Sequence, residues 1–248
     1  MTERQPEGPG ELPEGDPTQP GPESREHPGG DPTAPGPGSR EPQWLAWAKR
    51  IQAIAQAGIT YTHNPYDLDR YRTLQALSVE IVARHVDAGS REDLVRLGEL
   101  FAADSGYPTP KVDVRAFVER DGEVLLVRER ADGRWSLPGG WADVGSSPAE
   151  MAVREVAEES GYQVRATRLL AVWERARHNP TPSLSSVYKL AIACEITGGR
   201  PEAGYETLGV GWFGVDDLPE LSLGRITAEQ IRRLAVLAAN PELPPDLD

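Results

Sequence analysis

The chain has 248 residues, 38% of them hydrophobic, and a formal net charge of −13 at pH 7. That length and apolar content suffice for one domain and a small second one, while the acidic balance provides no broad electropositive field for duplex nucleic acid. A single cysteine, Cys194, excludes an intrachain disulfide, and no run of about eighteen apolar residues offers a membrane span. With no basic, apolar leader in its first residues, the protein is expected to be cytosolic.

Residues 1–42 are mostly Pro, Gly and Glu, with nine acids against three bases. A segment with so few branched apolar side chains cannot offset its ordering entropy, so it reads as a disordered tail, solubilising or partner-binding. Its Gly-Asp-Pro-Thr and Pro-Gly-Pro repeats are low complexity. Residues 43–107 read as a small all-α domain. Trp44, Leu45, Trp47, Ala48, Ile51, Ile54 and Ala55 recur at helical spacing until Gly58. Asn64-Pro65 opens a second helix bearing Leu68, Tyr71, Leu74, Leu77, Ile81 and Val82, and Ser90-Arg91-Glu92-Asp93 looks like a capping box before Leu94, Leu97, Leu100 and Phe101. Helices this thin on core are expected to pack on the next domain or a second subunit. Trp44 and Trp47 are assigned to that packing.

After a Pro-rich hinge at 106–110, residues 108–242 read as a second domain. Alternation over 112–118, the turn Asp121-Gly122 and the run 124–127 predict a hairpin. Trp135-Ser136-Leu137 leads into Pro138-Gly139-Gly140, a loop where backbone approaches something closely. Ser147 and Pro148 read as N-cap and first position of a helix that runs to about Ser160, where Gly161 stops it. Strands are expected over 168–173, 187–196 and 209–213, with Cys194 buried in the second, and a closing amphipathic helix over 227–239. Mixed strands with helices on both sides predict an α/β/α sandwich.

Glu155, Glu158 and Glu159 stand at i, i+3 and i+4 on the central helix, so three like charges share one face. They are either a solvated acidic face or ligands to a cation. Carboxylates with a loop carbonyl suit Mg²⁺ or Mn²⁺. From Gly140 the chain reads Gly, five residues, Ser146, seven residues, then Arg154-Glu155-Val156-Ala157-Glu158-Glu159-Ser160-Gly161-Tyr162. This resembles the Nudix box, G-x5-E-x7-R-E-U-x-E-E-x-G-U with U apolar, departing from it at Ser146 and, loosely, at Tyr162. The stretch from Tyr61 to Tyr71 and the join from Thr109 to Arg115 are similar to the CDP-choline pyrophosphatase-like (CDP-Chase) or ADP-ribose pyrophosphatase group of Nudix hydrolases, which carries an N-terminal helical domain. The likeness runs over about 43–240.

The resemblance implies the Nudix α/β/α fold and metal-dependent hydrolysis of a nucleoside diphosphate derivative, with CDP-choline or ADP-ribose foremost. Carried over by position, Glu155, Glu158 and Glu159 are metal ligands, joined by the Gly139 carbonyl. Arg154 pairs with a box glutamate, and Arg154, Glu158 and Glu206 form the catalytic set. Ser146 cannot supply the charge of the family glutamate, so a slower site is expected. Glu150 either compensates or is an ordinary first-turn acid. Glu206 is a functional or a surface acid, with Gly209 standing where the related pattern has a second acid, and Glu174 is a weaker candidate. Arg128, Arg130 and Arg134 are candidates for phosphate contacts. Trp141, Trp173 and Tyr188 are candidates for stacking a base, two of them expected to pack internally, and His178 lies at the entrance or in an exposed loop. The expected partners are a small nucleotide substrate and a second copy of the chain, with no membrane. Two other readings stay open: a nucleotide-binding module without turnover, and RNA-end processing, which the acidic balance disfavours.

Overall fold

Asp121 and Gly122 both have positive φ, 55° and 82°. A two-residue turn of that kind matches the twist of its strands, and it reverses β1 (Lys111–Arg120) into β2 (Glu123–Glu129). The structure, a computed structural model, describes residues 41–85 and 106–248. The tail over 1–40 and the capping box with its third helix lie outside the described residues.

β1 is buried continuously from Asp113 to Val118, the pattern of a central strand covered on both faces. It runs parallel to β6 (Val187–Gly199) and antiparallel to β4 (Gly139–Trp141), with Arg115 opposite Gly139. β6 pairs antiparallel with β5 (Tyr162–Glu174), which carries β8 (Asp246–Leu247) in parallel at the edge. β2 pairs antiparallel with β3 (Trp135–Ser136) and β7 (Thr207–Gly214). On one face α3 (Pro148–Ser160) packs Met151, Ala152 and Val156 against Val114, Ala116, Val118 and Cys194. On the other, α5 (Ala228–Ala239) packs Ile231, Leu234 and Leu237 against Phe117, Leu126, Leu170 and Trp173. The period-two alternation of β1 thus feeds both cores of an α/β/α sandwich. Asp113 and Arg115 share the Phe117 face. β5 runs 13 residues, longer than the expected 168–173, because its polar first half still pairs with the end of β6. The single turn α4 (Arg175–His178) and the short β8 carry too little periodicity to be read from sequence.

α1 (Gln43–Tyr61) and α2 (Pro65–His85) form an antiparallel pair. The Asn64 side chain accepts from the Tyr66 N–H at 2.9 Å and caps α2. α1 does not stop at Gly58. A Cβ there would meet the Tyr71 ring at 2.4 Å, so this glycine lets the two helices approach. Leu45, Ala48 and Val82 make the small core, with Trp44 and Leu184 against it. Trp47, assigned to packing on the next domain or a second subunit, is 47% exposed in the single chain.

Candidate active site

α3 begins in a capping box, with Ser147 Oγ accepting from the Glu150 N–H and the Glu150 carboxylate accepting from the Ser147 N–H at 2.8 Å. Glu150 is therefore the first-turn acid of its own cap. Gly161, at φ 74°, closes the helix in the left-handed conformation. Gly139 has φ 145°, and a Cβ on it would stand 2.1 Å from the Val114 carbonyl oxygen, so only glycine fits. Its N–H donates to Glu159 Oε2 at 2.9 Å. The Glu155 carboxylate lies against Gly140, Oε1 being 3.1 Å from where a Cβ would be. The Gly139-Gly140 loop thus brings its backbone onto two of the helix carboxylates.

Glu155, Glu158, Glu159 and Glu206 line one cleft of about 820 Å³, together with Gly139, Gly140 and Trp141. Glu206 reaches it because its loop is tied down on both flanks. Thr207 Oγ1 donates to the Glu159 carbonyl at 2.9 Å, and Arg130 donates from Nε to the Tyr205 carbonyl at 2.8 Å and from Nη2 to the Thr207 carbonyl at 3.1 Å. Arg130 does not line the cleft. Neither does Arg128, whose Nε donates to the Gly133 carbonyl at 2.7 Å, nor Arg134, which pairs with Glu220 at 2.8 Å. Arg154 places Nε 3.9 Å from Glu158 and makes its shorter contact, 2.5 Å, to Asp143. Trp173 is buried in the core, while Trp141 and Tyr188 are exposed, Trp141 at the cleft rim. One of the three aromatics packs inside, not two. His178 Nε2 bonds Asp248 Oδ1 at 2.7 Å, and the Glu174 N–H donates to the other oxygen of that carboxylate.

Sequence reasoning missed the other charged residues of the lining, Asp113, Arg115, Glu129, Arg175 and Arg225, and with them Ser183. Arg115 is buried, donating to Asp113 Oδ1 at 3.0 Å and to the Leu137 carbonyl at 3.2 Å. Glu129, 5% exposed, stands 3.0 Å from Arg225 Nε and 3.9 Å from Arg115 Nη1. Behind them Lys189, 3% exposed, donates to the Arg225 carbonyl and lies 3.7 Å from Asp113. The available signal was the presence of charged residues in apolar strands: Asp113 and Arg115 in β1, Lys189 in β6.

Burial pushes the Glu159 carboxyl up to about 8, against the pull of the Gly139 N–H and Arg115. Burial, then the charge of Glu158, also raises Glu155. Burial raises Glu129 despite Arg225 and Arg115. It holds Lys189 down at about 7, with Asp113 opposing. Burial opposes the charge on Arg115, but Asp113, Glu159 and Glu129 together outweigh it and raise the pKa. Among the described residues no three Asp, Glu, His or Cys side chains are gathered as around a bound metal ion. The donor set nonetheless fits a hard divalent cation: its side chains offer only carboxylate oxygens, and burial disfavours the charge of two of them, Glu155 and Glu159.

Two family models match the chain: the UDP-X-like N-terminal oligomerisation domain over residues 42–93 and the NUDIX domain over residues 109–234. The chain is 43% identical to "Putative ADP-ribose pyrophosphatase YjhB" of Bacillus subtilis (strain 168), over 82% of this chain and 95% of that protein. Among solved structures, it is similar to an ADP-ribose pyrophosphatase of Streptococcus suis 89-1591 at 40% identity and a TM-score of 0.52, covering 56% of this chain and all of that one. A UDP-X diphosphatase matches at 33% identity and a TM-score of 0.54, over 83% of this chain and 98% of the other.

Proposed function

The chain belongs to the Nudix hydrolases, enzymes that act on phosphoric anhydride bonds of nucleoside diphosphate derivatives, and from that premise we propose that its substrate is of the ADP-ribose or CDP-choline type. The products are a nucleoside monophosphate and a phosphorylated remnant. The names carried by the relatives in Bacillus and Streptococcus put ADP-ribose first. Glu155, Glu158, Glu159 and the Gly139 carbonyl are the groups that would hold Mg²⁺ or Mn²⁺. A bound divalent cation screens the phosphate oxyanions and lowers the pKa of the attacking water. The Gly139 N–H holds Glu159 in one orientation, and Arg154, tethered by Asp143, steadies Glu158. Glu206 accepts the proton of the attacking water, on a loop held by Arg130 and Thr207. Trp141, at the open rim, stacks the base.

The observation that carries this reading is the convergence of Glu155, Glu158, Glu159 and Glu206 on one cleft. Phosphatase-coupled phosphate release from ADP-ribose, CDP-choline, nucleotide sugars and dinucleoside polyphosphates tests it, with Mg²⁺, Mn²⁺ or EDTA. Metal-dependent turnover of one substrate is expected. Stabilisation by nucleotide without turnover would favour a binding module, to which Ser146 in place of the family glutamate points.

The helical pair is proposed to form a homodimer. Trp47, Ile54 and Tyr61 recur every seventh residue along α1 and are all exposed, with Tyr66 and Leu77 exposed on α2. Light scattering is expected to give twice the chain mass, and Ile54→Glu to give one.

A further inference from the structure

The cations lining the cleft differ in what neutralises them. Arg115 is paired with Asp113, and Arg225 with Glu129 at 3.0 Å and Asp132 at 3.6 Å. Lys189, behind the wall, has Asp113 and two backbone carbonyls. Arg175 has no carboxylate in ion-pair contact among the described residues. It is half-buried at the start of α4, and its Nε donates to the Gly224 carbonyl at 3.2 Å. Gly224, which also lines the cleft, lies beside the guanidinium: a Cβ there would stand 3.6 Å from Arg175 Nη2, an ordinary contact. Burial lowers the Arg175 pKa, and the acids that act on it are Asp113, Glu174 and Glu41, not the four glutamates of the opposite group.

A guanidinium kept partly out of water with a carbonyl as its hydrogen-bond partner is an unfavourable arrangement in the free protein. It becomes favourable when a planar or tetrahedral oxyanion supplies the missing charge, and two parallel N–H groups suit a phosphoryl oxygen pair better than any point contact. Ser183, also in the lining, adds a hydroxyl donor to the cleft. We infer that Arg175, with Ser183, is the anion subsite of this cleft and takes the phosphoryl group on the substrate's departing side, so that the enzyme selects a phosphorylated sugar over a phosphorylated quaternary amine. The inference rests on the diphosphate-hydrolase reading. On the acidic side the substrate's charge is met by a cation held by the glutamates; on this side it is met by Arg175 itself. A quaternary ammonium one short linker beyond the phosphoryl would face that guanidinium as a like charge, whereas ribose hydroxyls would not.

Calorimetry with the non-hydrolysable α,β-methylene ADP in Mg²⁺ tests it on the wild type, Arg175→Gln and Arg175→Lys. Steady-state kinetics on ADP-ribose and CDP-choline run beside it, with melting temperature as the check on folding. Losing a charge-assisted contact predicts about 10- to 100-fold weaker analogue binding in Arg175→Gln. KM for ADP-ribose is expected to rise to match with kcat held within about 3-fold. The preference over CDP-choline should narrow, and Arg175→Lys should recover part of the binding. A folded Arg175→Gln that binds the analogue as the wild type does, or weakens both substrates equally, overturns the inference while leaving the hydrolase intact. A wild type that neither binds the analogue nor turns over any substrate overturns the hydrolase reading and this inference with it.

Discussion

The two charged groups that meet in the cleft are built in opposite ways. The glutamates come from one helix and one tethered loop, and the innermost of them, Glu159, is pushed up to about 8 by its burial, against the pull of the Gly139 N–H and Arg115. The basic floor is drawn from β1, β2, β6, α4 and the loop before α5, and it is almost neutralised from within: Asp113 serves Arg115 and Lys189, and Glu129 serves Arg225. The first arrangement is unfinished without a ligand. The second is a folded-state ion network with one guanidinium left over. A cleft of this kind separates the part that changes charge with its cation from the part that keeps the substrate in register.

The largest expected effect lies on the acidic side. Glu159→Gln keeps the size of the side chain and loses its charge, and because partners of metal ligands alone are worth about 10- to 100-fold, the fall in kcat should be at least ~100-fold. Its melting temperature without metal should change little near pH 7, where the buried carboxyl is already mostly protonated. Retention of wild-type turnover would remove the helix acids from the mechanism.

On the basic side the effect is on stability. Lys189 is held at about 7 against an ordinary value of 10.5. The folded protein therefore binds fewer protons than the unfolded chain between those limits, and this residue's contribution to stability rises as pH climbs through that window. Below pH 7 its full penalty is present. Lys189→Met should therefore be most favourable relative to wild type below pH 7, with the advantage shrinking towards pH 10 by on the order of a few kcal/mol. The carbonyls of Gly224 and Arg225, which lose their donor, oppose that gain at every pH alike. Denaturant midpoints at pH 6, 8 and 10 measure it, and a pH-independent difference would mean that Asp113 keeps Lys189 charged throughout.

The same contrast decides what could be read without coordinates. The acidic group is local: Gly139 to Gly161 holds the glycine loop, the cap, the carboxylates at helical spacing and the stop within one stretch, and periodicity reports all of them. So did the Asp121-Gly122 hairpin and the two-layered core. The basic floor spans Asp113 to Arg225, and nothing in local spacing says that β1 runs parallel to β6 in the register that puts Asp113 opposite Lys189. Arg130 shows the converse error. An arginine near the glycine loop suggests phosphate, but its hydrogen bonds run to carbonyls across the β2–β7 edge, a partner set fixed by tertiary pairing. Gly58 was read as a stop, and it is a helix contact because the Tyr71 ring lies on it.

Arg130→Ala sharpens the comparison at the join between the two groups. It deletes no cleft side chain but removes the Arg130 side-chain clamp on the Glu206 loop, so kcat should fall by about 10- to 100-fold from misplacement of Glu206 alone, with KM for substrate nearly unchanged. A rise in KM without loss of kcat would instead make Arg130 a phosphate contact. Solvent-exchange rates of the Tyr205 and Glu206 amides should rise in the same variant.

Glu150→Ala is expected to do least, and that is its use. Ser146 leaves the Nudix box one carboxylate short, and Glu150, a helical turn later, is the acid proposed to stand in. Its carboxylate already accepts from the Ser147 N–H and from Ser147 Oγ at 2.9 Å, and those bonds hold its pKa below the ordinary glutamate value. A side chain engaged with its own cap is not free to turn towards Glu155 and Glu158. Removing it should loosen the start of α3, seen as a small fall in melting temperature, with the metal dependence of turnover unchanged. If the metal concentration for half-activity rises instead, Glu150 leaves its cap when the cation binds, and the acidic group extends one turn further along the helix than its resting geometry indicates.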